Sequence, residues 1–193
     1  DPLLKNVLAR LTILLQKDNE RLQANAVRRL HRQAEDDIRS ALAPFGYYNP
    51  AIKSDLSKTD DVWHALYAID QGPPVVVEEV SLALAGAGQN NGPLLAALAE
   101  FPIKKGDTLN QELYEQGKKK LANLAFGQGF LDSSFSERSL RVNRQTNRAW
   151  VRLVLDTGRQ YLFGATTSSQ GVLKKELLDR YLPYQVGEPY NPA

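Results

Sequence analysis

The sequence predicts an α+β fold made of tandem copies of one small module. The stretch FPIKKGDTLN at residues 101–110 recurs as LPYQVGEPYN at 182–191, which is 81 residues later. A second pair, WHALYAIDQGP at 63–73 and WVRLVLDTGRQ at 150–160, recurs at a similar distance. Self-similarity at a nearly fixed period is the signature of repeated structural units. We therefore predict copies of a module of about 80 residues rather than one larger domain.

A third anchor pairs LAPFGYYNP with LAFGQGFLDS, so that Gly46 aligns with Gly129 and Asn49 with Asp132. In the second anchor, Trp63 aligns with Trp150 and Asp70 with Asp156. The separations run from 81 to 87 residues, which indicates loop insertions between otherwise equivalent modules. These anchors predict a first module at residues 1–72, a complete second module at 73–157 and the first half of a third at 158–193.

Composition excludes several classes of function. The chain has 24 basic and 22 acidic residues and a net charge of +2, which is too small to predict a nucleic-acid or anionic-membrane surface. It has no cysteine, which excludes disulfides, cysteine zinc sites and a thiol nucleophile. No run of 18 apolar residues predicts a membrane helix, and the absence of methionine suggests a fragment of a mature chain.

The second module shows each predicted element in order. PVVVEEVSLAL at 74–84 is rich in β-branched residues and alternates as a strand with one mostly apolar face. A short helix follows Asn91 and Gly92, with Pro93 in its first turn, and stops before Pro102. The segment Gly106 to Thr108 then turns the chain.

A longer amphipathic helix begins near a cap at Asn110 and ends before Gly127. Its predicted inward positions are Leu113, Gly117, Leu121, Leu124 and Ala125. Two alternating runs joined by RQTN then form a hairpin. The predicted order of the module is β-α-α-β-β.

The flanking modules show parts of the same pattern. The first lacks its leading strand and has a helix LLKNVLARLTILL capped by Asp1 and Pro2, a helix over 20–42 and a hairpin. The third has a strand RQYLFGATT, a short helix VLKKELLDRYL and a turn. Its apolar strand YLFGA lacks its usual neighbour, so we predict that it pairs with another chain or is covered in another way.

A glycine-rich loop, GAGQNNG at 86–92, lies between a strand and a helix, where phosphate loops occur. The next element is a helix rather than a parallel strand, and no Lys-Ser or Lys-Thr pair follows. A permissive surface turn therefore explains the loop better than a nucleotide site. An enzyme that binds a nucleotide here is the alternative from another functional class, and a rise in melting temperature with added nucleotide would reveal it.

The remaining polar candidates have structural explanations. His31 and His64 lack the spacing of a metal site, and the carboxylate pairs Asp36–Asp37 and Asp60–Asp61 lie on a charged helix and in a hairpin loop. The lysines of GKKK at 117–120 are not interleaved with aromatic residues, so a solvated helix face explains them. Trp63 and Trp150 are predicted to lie in the core, and Gly46 and Gly129 to stop helices. We predict no catalytic residue, no metal and no cofactor.

A three-stranded sheet leaves two edges, and an edge offers unpaired backbone groups to an extended chain. The β-α-α-β-β order, the G-(Y/F) helix stop in GYYNP and GFLDSS, the GDTLN turn and the tandem copies together resemble the polypeptide-transport-associated (POTRA) domain. That family projects into the periplasm of Gram-negative bacteria ahead of an outer-membrane β-barrel in the barrel-assembly superfamily.

The resemblance implies that the last strand of each module is central and the second strand is an edge. The edges are then Ala51 to Ser57 and Ser133 to Val142. The candidate binding residues are Ala51, Ile52, Lys53, Asp55, Ser134, Ser136, Arg138, Leu140 and Val142. The charges of Lys53, Asp55, Glu137 and Arg138 are equally explained as protection of the edges against aggregation.

By the same resemblance, the implied function is protein binding without catalysis. The implied partners are unfolded outer-membrane and autotransporter clients, an inner-membrane-anchored protein and the chain's own C-terminal barrel. Alternatives within the superfamily are the POTRA region of a two-partner secretion transporter or of the main barrel-assembly protein.

Overall fold

The structure, a computed structural model, describes residues 1–19, 21–165, 167 and 183–191. It confirms the α+β class. Its helices are α1 (Pro2–Arg10), α2 (Thr12–Leu15), α3 (Ala24–Leu42), α4 (Gly92–Ala99) and α5 (Gln111–Gly127). Its strands are β1 (Ala51–Thr59), β2 (Val62–Asp70), β3 (Val76–Ala85), β4 (Ser134–Asn143) and β5 (Arg148–Asp156). None of the described helices is both long enough and apolar enough to cross a bilayer.

The chain divides into two compact units. The first unit comprises Asp1–Val80, Ile103–Glu115 and Leu140–Val151, and the second comprises Ser81–Pro102, Gln116–Ser139 and Arg152–Ala193. Each unit contains residues of β3, α5, β4 and β5. The division into modules at 1–72, 73–157 and 158–193 stays a prediction.

The strands form two sheets, and the second sheet has the topology that the resemblance implies. Strand β1 pairs antiparallel with β2, from Ala51 opposite Asp70 to Thr59 opposite Val62. The three-stranded sheet has the order β3-β5-β4, so the last strand is central and β4 is an edge. Strands β3 and β5 run parallel, since hydrogen bonds join Val76 to Asn147 at one end and Ala85 to Thr157 at the other.

The first unit has a helical core under the β1–β2 hairpin. Asp1 caps α1 by accepting a hydrogen bond from the Leu3 N–H at 2.9 Å. The single helix predicted over 3–15 is interrupted at Leu11, whose backbone is extended and whose side chain is buried. Asp37 accepts the Thr12 N–H at 2.8 Å and so caps α2, which gives this carboxylate a structural role that the sequence reading as a solvated residue missed. The core cluster consists of Val7, Leu11, Ala34, Ile38, Ala41 and Leu42.

The first hairpin differs from the expectation for a complete module. Its sheet has two strands, so β2 is an edge rather than a central strand. Asp60 and Asp61 form the turn with φ of 49° and 64°, and Lys58 binds the Asp61 carboxylate at 2.6 Å. Positive φ at both positions is the geometry of a type I′ hairpin turn, which explains why short polar residues stand there.

Helix α4 begins directly after Asn91, and α5 begins at the predicted cap Asn110. Asn91 accepts the Leu94 N–H at 3.1 Å, and Asn110 accepts the Glu112 N–H at 2.9 Å. The inward face of α5 differs from the prediction: Tyr114 is buried, whereas Leu113 is exposed and Leu124 is half-buried. The buried stripe is Tyr114, Gly117, Leu121 and Ala125.

The core face of β5 consists of Ala149, Val151, Leu153 and Leu155. Trp150 lies on the opposite face and is half-buried, so its predicted core position is wrong. Trp63 is also half-buried, but it faces α3. A shift of one residue explains the error, because adjacent strand residues point to opposite faces. Asp70–Asp156 and Gly72–Gly158 set the true register, in which Ala149 replaces Trp63.

The apolar segment assigned to the predicted third module has partners within its own chain. Leu162 is bridged to Pro189, and the Tyr190 and Gly187 N–H groups donate to the carbonyls of Tyr161 and Phe163, both at 2.8 Å. The predicted helix VLKKELLDRYL at 172–182 lies outside the described residues. Pairing of YLFGA with another chain stays a prediction.

Candidate protein-binding edges

A helix-stop glycine and the next strand form a joint in the first unit, which we call the first joint. Gly46 has φ of +89°, and its carbonyl accepts the Val75 N–H at 2.8 Å. A Cβ on Gly46 would lie 2.6 Å from the Leu109 carbonyl oxygen, so only glycine fits. Asp70 binds the N–H of Gly72, whose Cβ position is 3.0 Å from the Asn49 oxygen.

The second unit contains a joint with the same atoms in the same roles, the second joint. The Gly129 carbonyl accepts the Tyr161 N–H at 2.8 Å, and Gly129 has φ of +84°. Asp156 binds the Gly158 N–H at 2.9 Å, as Asp70 binds Gly72. Gly158 lies 3.5 Å from Asp132, measured from its Cβ position. The repeat found in the sequence is thus a repeat of hydrogen bonds, and it explains why these glycines and aspartates recur.

Side chains differ between the joints. In the first joint the Asn49 amide donates to the Arg144 carbonyl at 2.7 Å, and Gln111 donates to the Tyr48 hydroxyl at 2.7 Å. In the second joint the Tyr161 hydroxyl donates to Asp132 at 2.8 Å. Arg159 lies over the Tyr161 ring at 4.5 Å, and this hydroxyl raises the pKa of its guanidinium. The backbone pattern is common to the joints, whereas each has its own polar contacts.

Strand β1 is the outer strand that the sequence predicted as a binding edge. Ala51, Lys53 and Asp55 are exposed. Ile52 is different, since it packs against the helical core. The side chain of Ile52 is therefore covered, unlike those of Ala51, Lys53 and Asp55.

Strand β4 is the second predicted edge. Ser134, Ser136 and Arg138 are exposed, whereas Leu140 and Val142 are half-buried. The alternation between more and less covered residues shifts by one position at Ser139 and Leu140. The five alternate residues predicted as one face therefore do not share one exposure, and the uniform surface ends at Arg138.

Two ion pairs join the central strand β5 to its neighbouring strands. Glu137 is half-buried and binds Arg152 of β5 at 3.1 Å, so it joins neighbouring strands instead of protecting the edge against aggregation. Arg148 of β5 binds Glu78 of β3 in the same way. The exposed charges Lys53, Asp55 and Arg138 retain the protective explanation that edge strands commonly have.

The structure has a further open edge that was not predicted from the sequence. The outer side of β2 has no neighbour among the described strands, and Val62 and Leu66 are 56% and 68% exposed. Beside it, a groove of about 480 Å³ is lined mostly by apolar side chains, including Leu11, Leu30 and Trp63. Among the described strands, β2 thus has no counterpart to the parallel neighbour that β5 has in β3.

The glycine-rich loop 86–92 is packed against the end of β5. The Gly88 N–H donates to the buried Thr157 hydroxyl at 2.8 Å, and Thr157 donates to the Ala85 carbonyl at 2.9 Å. A Cβ on Gly88 would lie 2.8 Å from the Phe130 ring. The reading as a permissive surface turn is therefore incomplete, because Gly88 is required for close packing. Asn91 already accepts the Leu94 N–H at the start of α4.

The two histidines have different surroundings. His31 Nδ1 lies 2.8 Å from the Tyr67 hydroxyl, whereas His64 is exposed on the other face of its strand. Within the described residues, no group of three or more His, Cys, Asp or Glu side chains is placed to hold a metal ion. The edges are therefore the surfaces on which a functional hypothesis can rest.

Comparison with known structures found matches at low sequence identity. POTRA3-5 of BamA from Haemophilus influenzae is 15% identical with a TM-score of 0.43, over 91% of this chain and 77% of that one. POTRA1-3 of Omp85 from Anabaena is 16% identical with a TM-score of 0.38, over 83% of this chain and 65% of that one. BamA from Haemophilus ducreyi lacking POTRA domains 1-3 is 14% identical with a TM-score of 0.38, and the matched part covers 82% of this chain and 30% of that one.

Comparison with protein families gave a match to the family described as POTRA domain, TamA domain 1, over residues 1–71. The matched range contains α1, α2, α3 and the β1–β2 hairpin, and it ends at the Asp70 turn of the first joint. Residues 1–71 therefore match a POTRA domain, which confirms the family resemblance for that part of the chain.

Proposed function

We propose that this chain is the periplasmic POTRA region of a TamA-like outer-membrane assembly factor, and that it binds extended segments of other proteins without catalysis. The family match at residues 1–71 supports the TamA-like assignment. The clients are unfolded outer-membrane proteins, autotransporters in particular. The inner-membrane-anchored partner is a TamB-like protein, and the POTRA region positions both for the C-terminal barrel of the full protein.

The observation that carries this proposal is the pair of outer strands. Strands β1 and β4 are edges of their sheets, and the side chains of Lys53, Asp55, Ser134 and Ser136 point into solvent. An added strand gains main-chain hydrogen bonds at such an edge, and these bonds do not depend on the identity of the side chains. A transport factor with many clients needs this tolerance of sequence.

An amide NMR titration tests the proposal. The ligands are a peptide from an autotransporter barrel strand and, separately, the C-terminal part of the inner-membrane partner. We expect shifts confined to residues 51–57 or 133–142. A control peptide with N-methyl groups at alternate residues keeps its side chains but loses main-chain donors on one side, and we expect it to cause no shifts.

Absence of shifts with either ligand would mean that these modules are spacers and that recognition lies elsewhere in the full protein. Shifts that survive N-methylation would indicate binding by side chains and contradict strand pairing. Shifts limited to residues 161–163 would move the interaction to the third module, whose pairing with another chain is the remaining hypothesis.

A further inference from the structure

A basic groove lies beside β1, on the side of the hairpin that faces α3. It has a volume of about 380 Å³ and is lined by Asn25, Arg28, His31 and Arg32 of α3 and by Leu56 of β1. Asn25, Arg28 and Arg32 are spaced three and four residues apart, so they lie along one face of the helix. The groove therefore presents two guanidinium groups next to the open edge of the sheet.

These two arginines differ from the other charges around them. Arg28 lies 5.8 Å from the centre of the Trp63 ring, and neither Arg28 nor Arg32 forms an ion pair with a described residue. Lys58 also lies over Trp63, but it is bound to Asp61 at 2.6 Å. The groove thus has cationic capacity that the described residues do not neutralise.

Two neighbours of these arginines on α3 have partners of their own. Glu35 accepts a hydrogen bond from the Ser54 hydroxyl at 3.0 Å, and His31 is joined to the Tyr67 hydroxyl. Arg39 donates to the Pro50 carbonyl at 2.9 Å, just before β1 begins. These contacts hold α3 along the length of β1, from Pro50 to the groove at Leu56.

A strand added to the open side of β1 would lie about 5 Å away and would point every second side chain toward α3. Near Leu56 such a side chain would enter the groove. We propose that β1 prefers extended protein segments that carry an Asp or Glu on the face toward α3, and that Arg28 and Arg32 bind that carboxylate. This inference rests on the proposed function, because it names the chemistry of the strand that the β1 edge selects.

The expected preference follows from the character of the groove. Hydrogen bonds from arginine to a carboxylate are charge-assisted and can be bidentate, but this groove is open to solvent, which screens the interaction. We expect an acidic segment to bind about three- to tenfold more tightly than its amide counterpart at low salt. The difference should shrink as salt is added.

The test uses two labelled strand peptides that differ only in Glu or Gln on one face, with binding to the whole chain measured by fluorescence anisotropy. The groove variant is Arg28→Gln with Arg32→Gln, and the matched control is Arg29→Gln, an exposed residue of α3 that does not line the groove. Circular dichroism confirms that both variants are folded. We expect the Glu peptide to bind more tightly to the parent chain and to Arg29→Gln, and both peptides to bind the groove variant equally.

Equal binding of the Glu and Gln peptides to the parent chain would overturn this inference and leave edge pairing intact. No binding of either peptide would overturn the inference together with docking at β1. A third assay uses phosphatidylglycerol vesicles. Binding to them that depends on Arg28 and Arg32, without discrimination between the peptides, would assign the groove to a lipid surface and contradict the proposal.

Discussion

Gly46 of the first joint is expected to be far less tolerant of a side chain than Gly106, although both have nearly the same backbone conformation. Their φ values are +89° and +93°. An added Cβ at Gly46 would lie 2.6 Å from the Leu109 carbonyl oxygen and 3.3 Å from Thr108, whereas one at Gly106 would have no described heavy atom within 4 Å apart from its chain neighbours. The pair therefore separates the effect of conformation from the effect of close packing.

Positive φ alone destabilises an alanine by about 1–2 kcal/mol relative to glycine, so Gly106→Ala should lose about that much. Gly46→Ala should lose about 1–3 kcal/mol more, because the joint must shift to accommodate the new methyl group. The shift would strain the hydrogen bond that the Val75 N–H donates to the Gly46 carbonyl, in which nitrogen and oxygen are 2.8 Å apart. Both residues lie in the first unit, so one unfolding transition reports on both.

Urea unfolding followed by circular dichroism measures the two losses, and amide hydrogen exchange at Val75 locates the effect. We expect faster exchange of the Val75 amide in Gly46→Ala than in Gly106→Ala. Equal losses of stability, or a larger loss for Gly106→Ala, would show that the close approach to Leu109 is not what requires glycine at the joint.

Three further outcomes follow from the packing. Thr157→Val should destabilise the second unit by about 1–3 kcal/mol, because it leaves the buried Gly88 N–H without its acceptor. Thr157→Ser keeps the hydroxyl and should not, and the midpoints of urea unfolding measure the difference. Gly117→Ala should lose about 1–3 kcal/mol, since its Cβ would lie 2.5 Å from the Phe101 ring, while Gly127→Ala, which contacts nothing, should be neutral or slightly stabilising. Burial first, then Asp37 and Glu35, raise the pKa of Tyr67. Its stabilising contribution is present below about pH 10 and is lost as pH rises through the folded pKa, so Tyr67→Phe should flatten the alkaline fall in stability.

Local signals in the sequence predicted much of this fold. The predicted caps Asp1 and Asn110 each accept a backbone N–H in the first turn of their helix. The glycines Gly46 and Gly129 have the positive φ of helix stops. These predictions succeed because each depends on the chemistry of a few adjacent residues.

The errors arose where the outcome depends on contacts distant in sequence. The sequence alignment matched Trp150 to another tryptophan, yet the buried face of β5 is set by the register of the sheet. Tyr114 is buried in place of Leu113, because it shares the inward helix face with Gly117 and Leu121, three and four residues apart. The capping role of Asp37 depends on Thr12, which is 25 residues earlier and on another helix.

The candidate edges could be located from the sequence only through the resemblance, and their detail required coordinates. The order β3-β5-β4 confirms β4 as an outer strand. The change of exposure at Ser139 and Leu140 could not be read from the alternating pattern. The basic groove could not be predicted from the sequence either. Arg28 and Arg32 lie on a mixed-charge helix, and the groove exists only because the hairpin packs beside that helix.

Site-specific disulfide cross-linking tests docking at the edges most directly. The chain has no cysteine, so single variants at Ser136 on β4 and Asp55 on β1 can be compared with Gln89, an exposed residue outside the strands. The probe is an autotransporter strand peptide with one cysteine, moved along its length. Edge-strand binding predicts cross-links at Ser136 or Asp55 that alternate with the peptide position, as strand pairing requires. Equal cross-linking at Gln89, or no dependence on position, would contradict edge-strand binding.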